Sequence, residues 1–316
     1  MNLLFYLLVF LLVLIVSSTT NKLLPFLPMP LIQILLGIGI GLCLPNNQYH
    51  LDTELFLALV IGPLLFREAQ EADVTSILKH WRIVLYLIFP VIFISALSMG
   101  GLAHVLWASL PLAACVAVGA ALGPTNLVAF ASLSQRFSFP KRVSNILKGE
   151  GLLNDASGLV AFRVALIAWT TGTFSLTQAG TSLAISVVGG FAVGFITALI
   201  NRFLHTFLLS VRATDIASEL LLELSLPLLT FFIAEEIHVS GIIAVVVAGI
   251  LKASRFKKIN LLEAQVDTVT ETVWHTVTFM LNGSVFVILG MELEMIAEPI
   301  LKSAFYNKVL LLLSVF

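Results

Sequence analysis

Apolar stretches long enough to cross a bilayer recur from one end of this 316-residue chain to the other. Each runs to about 20 residues, the length a helix needs to traverse roughly 30 Å of hydrocarbon. That recurrence leaves few folds open. Lipid offers no hydrogen bonds to exposed peptide groups, and an α-helix satisfies its own backbone within a single segment. The pattern therefore predicts an all-α, polytopic helical membrane protein. The segments read as 2–18, 28–44, 54–69, 82–100, 103–133 (broken, with a re-aimed start), 142–169, 178–201, 215–237, 239–252, 265–291 and 303–316, about 11 in all with the last incomplete. Only 11% of residues are charged, against roughly 25% in soluble domains. Residues 1–316 thus read as a single transmembrane domain, with no soluble domain. Segment 2–18 ends in Ser17-Ser18-Thr19-Thr20 but lacks a basic n-region and an Ala-x-Ala site, so it reads as an uncleaved first helix.

Basic residues set the orientation. Lys22 follows the first segment, and the next loop has no Lys or Arg. Arg67, Lys79 and Arg82 follow, then a free loop; Arg136, Lys141, Arg142 and Lys148, then a free loop; Arg202 and Arg212, then a free turn near His238. Lys252, Arg255, Lys257 and Lys258 complete the series. Basic loops face the cytoplasm, which places the N-terminus outside a cell membrane. The net charge of −1 gives no support to nucleic-acid binding. Cys43 and Cys115 lie in apolar segments without metal-like spacing and read as packing residues.

Charged groups inside spans are functional candidates because each costs about 2.5–3.5 kcal/mol to insert. In "ALGPTNLVAF", Pro124 removes a backbone donor and Gly123 loosens the same turn, which predicts a broken helix at about 122–126. A break in lipid is tolerated where freed backbone groups are buried in protein or line a wet cavity, and half-helix ends suit ions. In "KGEGLLNDASGLVAFRVAL", Glu150 and Asn154 are four apart and share a helix face. Asp155 falls near mid-membrane, where desolvation opposes its ionised form unless a cation sits beside it. Such a carboxyl can trade a proton for a cation near neutral pH. Glu150, nearer the cytoplasmic end, reads as an ion-paired or solvated residue. Arg163 is about 12 Å further along the helix axis than Asp155, so it snorkels outward or meets a carboxylate from another segment. Glu219 and Glu223, one turn apart near a cytoplasmic helix end, read as solvated end residues, with a cation-attracting vestibule as the alternative, and at least one of Glu235 and Glu236 as solvated at the other end.

These two segments resemble monovalent cation/proton antiporters of the sodium/hydrogen exchanger branch (cation:proton antiporter type 1). "GPTNLVAF" at 123–130 is similar to the family's Pro-Thr-Asp-x-Val-Ala signature, and "GEGLLNDASGLVAF" at 149–162 to its Gly-Glu…Asn-Asp-Ala segment. Weaker matches begin at Leu24 and cover 63–69, 234–250 and 279–293. The resemblance implies an inverted-repeat antiporter fold, a homodimer, and a dimerisation part and a core part that move relative to each other. It implies exchange of a monovalent cation, first Na+, for H+ by alternating access, a role in pH homeostasis, and no cofactor beyond the transported ions. Asp155 matches the shared cation/proton site, Asn154 its partner, and Thr125 the Thr of the broken helix. Glu150 matches a Glu that pairs with an Arg from a later helix, and Glu68 an acidic residue on the cytoplasmic approach.

Two departures stand out. Asn126 occupies the place of the family's Asp, leaving Asp155 as the lone central carboxylate. The chain stops at Phe316, before the helix carrying that Arg, so the second repeat reads as incomplete. A truncated or Asp-to-Asn-altered, transport-inactive homologue, or a subunit needing a second polypeptide, is the alternative. An enzyme is not expected. Aspartic intramembrane proteolysis needs two facing Asp residues, Asp155 has no mid-span Asp partner, and no Walker loop, His-Glu-x-x-His or nucleophile elbow occurs.

Overall fold

The computed structural model describes residues 2–24, 26–43, 52–72, 91–107, 109–123, 139–140, 143, 147, 151, 157–158, 161–162, 164–170, 176–211, 215–253 and 261–302. The described residues contain helices, turns and short connections but no strand, as the segment pattern predicts. The chain divides into two compact units, one of residues 1–64 and 267–316 and the other of residues 65–266.

In the first unit, α1 (Asn2–Leu23) packs on α2 (Met29–Cys43). Two polar side chains on this pair are fully enclosed, and they satisfy one another and the backbone. Ser17 donates to the Leu14 carbonyl at 2.9 Å, and Gln33 donates to Ser17 at 3.5 Å. α10 (Leu261–Lys302) meets α2 at a glycine pair. A Cβ on Gly37 would lie 3.0 Å from the Gly290 Cα, and one on Gly290 would lie 2.9 Å from the Gly37 Cα. The backbones therefore touch, the close approach by which helices gain dispersion energy where lipid supplies no hydrophobic drive.

Asp52 starts α3 (Thr53–Phe56) by accepting from the Glu54 and Leu55 amides at 3.0 and 3.3 Å. The helix widens through a π turn, Leu57–Ile61, where the Gly62 amide bonds the Leu57 carbonyl, and continues as α4 (Gly62–Glu71). Pro63 explains the widening, since its ring crowds the preceding turn and it has no N–H.

In the second unit, α5 (Ile92–Leu106) and α6 (Leu112–Leu122) form a hairpin. This differs from the expected division at 100–103. The chain leaves the helix at Trp107, and α6 starts after Pro111, whose φ of −58° suits a helix entrance. His104 Nδ1 lies 2.9 Å from the Leu110 carbonyl across the turn. The hairpin is again glycine-tight, with a Cβ on Gly100 falling 2.7 Å from the Val116 Cα. α6 ends at Leu122, where Gly123-Pro124 predicts interruption, and residues 124–138 lie outside the described set.

α7 (Leu176–Ser210), α8 (Ile216–Glu236) and α9 (Gly241–Ala253) pack mutually in the same unit. Val193, Ala234, Val239 and Ala244 form their shared core. The turn from α8 to α9 is a Schellman motif. The Val239 amide bonds the Ala234 carbonyl at 3.0 Å and the His238 amide bonds the Glu235 carbonyl at 2.9 Å, with His238 at φ 59°.

Among the described residues, three helices are long and apolar enough to cross a membrane: Ala184–Leu208, Ile216–Glu236 and Thr268–Leu293. α7 and α10 outrun the expected 178–201 and 265–291. At 35 and 42 residues they extend about 52 and 63 Å, well beyond the hydrocarbon. Exposed Phe191, Phe195, Phe203 and Phe207 line α7 in stacked pairs with centroids 6.5 Å apart. Such a face is costly in water and suits lipid.

Candidate functional site

The residues assigned to ion and proton binding from the sequence, Thr125, Asn126, Asn154 and Asp155, lie outside the described residues, as do Glu150 and Arg163. Gly151, Ser157 and Gly158 are helical, as are residues 164–170, so described residues on both sides of Asp155 have the helical backbone expected for 142–169.

Glu68 is described. It sits half-buried on α4 with its Oε2 atom enclosed, next to Arg67, which pairs with Glu71 at 2.8 Å. One residue beyond Ala69, Gln70 turns inward and donates to Glu223 Oε1 at 2.6 Å. The other oxygen of Glu223 forms an ion pair with Lys252. One carboxylate thus ties together α4, α8 and α9. Its two side-chain partners are 153 residues upstream and at the last turn of α9, where a cation also complements the helix dipole. Pro227 contributes from within α8, because it withholds the N–H that would bond the Glu223 carbonyl.

The neighbouring turn of α8 carries Glu219. Its Oε1 lies 3.1 Å from His205 Nε2 on α7. Side-chain exposure is 13% for Glu219, 12% for Glu223, 15% for His205 and 16% for Lys252. This corrects the reading of Glu219 and Glu223 as solvated helix ends. α7 continues as helix past 201, so His205 covers Glu219, and α9 brings Lys252 over Glu223. Glu235 and Glu236 behave as expected: Glu236 is exposed, while Glu235 is part-buried and accepts from the Gly241 amide at 3.3 Å. Cys115 is buried, as a packing residue should be.

Sequence reasoning overlooked His205, although a signal was present. Thr197, Asn201 and His205 recur every fourth residue along an apolar helix, which marks one polar stripe. All three reach α8. Thr230 donates to Thr197 at 3.0 Å, Asn201 donates to the Leu222 carbonyl at 3.5 Å, and His205 meets Glu219.

Membrane-length apolar helices, backbone-tight glycine crossings and enclosed carboxylates among the described residues define a helical integral membrane protein. The family model described as sodium/hydrogen exchanger, transmembrane, matches residues 7–316, and the chain belongs to this family. It is 37% identical over 294 residues to a sodium, potassium, lithium and rubidium/H(+) antiporter of Bacillus subtilis, covering 93% of this chain and 44% of that protein. A protein of the same name from Bacillus pumilus is 35% identical over 291 residues, covering 92% of this chain and 43% of its own length. The chain therefore spans less than half the length of these relatives. Among solved structures, the fold is similar to that of the sodium proton antiporter MjNhaP1 from Methanocaldococcus jannaschii, with a TM-score of 0.68 at 19% identity, covering 92% of this chain and 71% of that one.

Proposed function

We propose that this chain exchanges a monovalent cation, most readily Na+, for H+ across the cell membrane by alternating access, with Asp155 as the site the two ions share. The observation that carries this reading is the family match over residues 7–316, which contains Asp155 midway along an apolar segment. A lone carboxyl held away from water is stable either with a proton or with a cation beside it, which makes the two ions competitors. Asn154 orients that carboxyl. Thr125 and Asn126 supply neutral oxygens from the interrupted helix, and Glu150 and Arg163 hold the surrounding core by pairing. Glu68, half-buried beside Arg67, lies on the cation's approach. The protein works as a homodimer in the bilayer, with its N-terminus outside.

With Asp155 as the lone central carboxylate, one cation trades for one proton and the cycle is electroneutral. An exchange rate that follows the membrane potential would overturn that stoichiometry. Asn126, where the family's motif has Asp, favours a second reading: a transport-inactive homologue, or a subunit needing another polypeptide. Cation-driven proton flux in proteoliposomes separates the two. The transport reading expects flux that Asp155→Asn abolishes and Asn126→Asp raises. Flux that survives Asp155→Asn would refute the assigned site, and absence of flux from the unaltered chain would favour the second reading.

A further inference from the structure

We propose that α10 lends one wall to a water-filled vestibule that carries hydrated monovalent cations from its Thr268 end about halfway into the bilayer. The helix is apolar and membrane-length over Thr268–Leu293. Its two faces differ. One holds Trp274, Gly283, Ser284, Val287 and Gly290, all buried, with Gly283 against Leu14 of α1 and Gly290 against Gly37 of α2. The other holds Thr268, Glu271, Thr272, His275 and Asn282, all exposed. Successive turns bring these five onto one arc about 100° wide.

The chemistry of that arc changes along the helix. From Thr268 to Asn282, about 21 Å along the axis, its exposed residues are polar; Thr278 and Phe279, on the turn before Asn282, are half-buried. Past Asn282 its exposed residues are Leu289 and Leu293. The leucines suit lipid, and the first group does not. Threonine can satisfy itself in a helix: Thr272 donates to the Thr268 carbonyl at 2.9 Å, and Thr276 to the Thr272 carbonyl at 3.2 Å. The carboxylate of Glu271, the imidazole of His275 and the amide of Asn282 need more. Asn282 makes no side-chain hydrogen bond among the described residues, and it stands near the middle of the span. Hydrocarbon penalises an unbonded amide, and ionisable groups within spans face a wet cavity or protein. Water serves all three groups, and the return to leucine marks where it stops. Glu271 gives the wall a negative charge, which draws cations and repels anions, and Asn282 offers a neutral carbonyl oxygen at the inner end. The wetting rests on α10 alone, whereas the cation as occupant rests on the transport reading. Lys252, Arg255, Lys257 and Lys258 precede α10, so with the N-terminus outside the vestibule opens to the cytoplasm.

Thiol accessibility tests the wall. Thr272→Cys, His275→Cys, Asn282→Cys and Leu289→Cys are made singly in the full chain, placed in nanodiscs and treated with charged, membrane-impermeant methanethiosulfonates. The unaltered protein, with Cys43 and Cys115, supplies the background rate. The thiolate is the reacting form, and apolar surroundings suppress it by about two pKa units or more. The first three variants should therefore react at least about a hundredfold faster than Leu289→Cys. An Asn282→Cys rate no higher than that of Leu289→Cys overturns the proposal, as does a disulfide through Asn282→Cys between two copies, which would set this face against protein. Charge is read at His275→Cys, about 6 Å from Glu271 on the next turn. At that distance in water, attraction of a cationic reagent and repulsion of an anionic one come to about threefold each. Rates normalised to a free thiol should favour the cationic reagent by up to about tenfold at low salt, and Glu271→Gln should bring the ratio close to one. A ratio unmoved by Glu271→Gln overturns the cation's place in the vestibule. Neither readout uses flux, so their failure is distinguishable from failure of the transport reading, which the proteoliposome assay decides.

Discussion

Lys252→Met isolates the energetics of the Glu223 tie. The substitution keeps the length and most of the apolar stem of Lys252 but removes its ammonium. Glu223, 12% exposed in the unaltered protein, then keeps Gln70 as its donor at 2.6 Å. Removing one partner of a buried ion pair costs about 3–5 kcal/mol. The surviving charge-assisted bond from Gln70 contributes about 1.5–3 kcal/mol, and residual exposure lets some solvent reach the carboxylate. The expected loss is therefore at or below the low end, about 2–3 kcal/mol. Adding Glu223→Gln removes the stranded charge, so the double variant should recover most of that and lie within about 1 kcal/mol of the unaltered protein. Glu223→Gln alone should cost less than Lys252→Met, because the long lysine stem can carry its head toward the helix end. The four proteins form a double-mutant cycle, read by denaturant unfolding in one detergent at one pH through tryptophan fluorescence. A Lys252→Met cost under about 0.5 kcal/mol, or a double variant as unstable as Lys252→Met, would refute the enclosed-charge argument.

Two further outcomes follow from the ends of α8. His238 holds φ 59° at the Schellman turn, a conformation that costs an L-residue roughly 1 kcal/mol and glycine almost nothing, so His238→Gly should raise unfolding stability by about that amount; an unchanged or lower stability would count against the strain. At the other end, the Ser218 hydroxyl and amide both donate to Asp215 and hold its carboxyl below the ordinary value of 3.8. A lowered folded-state value means the cap's contribution is complete above pH 3.8 and fades as pH falls below it through the folded value. Asp215→Asn, which keeps a capping oxygen, should flatten this dependence in a stability profile between about pH 2 and 6.

How much the residues announce depends on the range over which their physics acts. Segments 215–237 and 239–252 were readable because an apolar run bounded by Asp215 at one end and a His-Val-Ser-Gly turn at the other is a local signal; the helices are Ile216–Glu236 and Gly241–Ala253. The division between segments 82–100 and 103–133 falls beside Gly100-Gly101, a pair that is locally compatible with a turn. In the fold Gly100 is a contact surface for Val116, and the turn falls at Trp107 to Pro111 instead. Glu219 and Glu223 were misread for the same reason. A carboxylate near the start of a helix is solvated unless something covers it, and the groups that cover these two come from α4, α7 and α9.

The amino-acid order by itself determined that this chain is helical and that it belongs in a bilayer, and it is the source of the proposal that Asp155 and Asn126 form part of the ion site. Those conclusions rest on hydropathy, on the backbone's need for hydrogen bonds in lipid, and on two local motifs, all of which act within a few turns of helix. Only the tertiary structure decided that Gly37 and Gly290 are crossing points, that Glu223 joins three helices, and that His205 faces Glu219. Each is a contact between residues distant in sequence or on separate helices, and its energy depends on enclosure and on a partner's charge, which no single segment specifies.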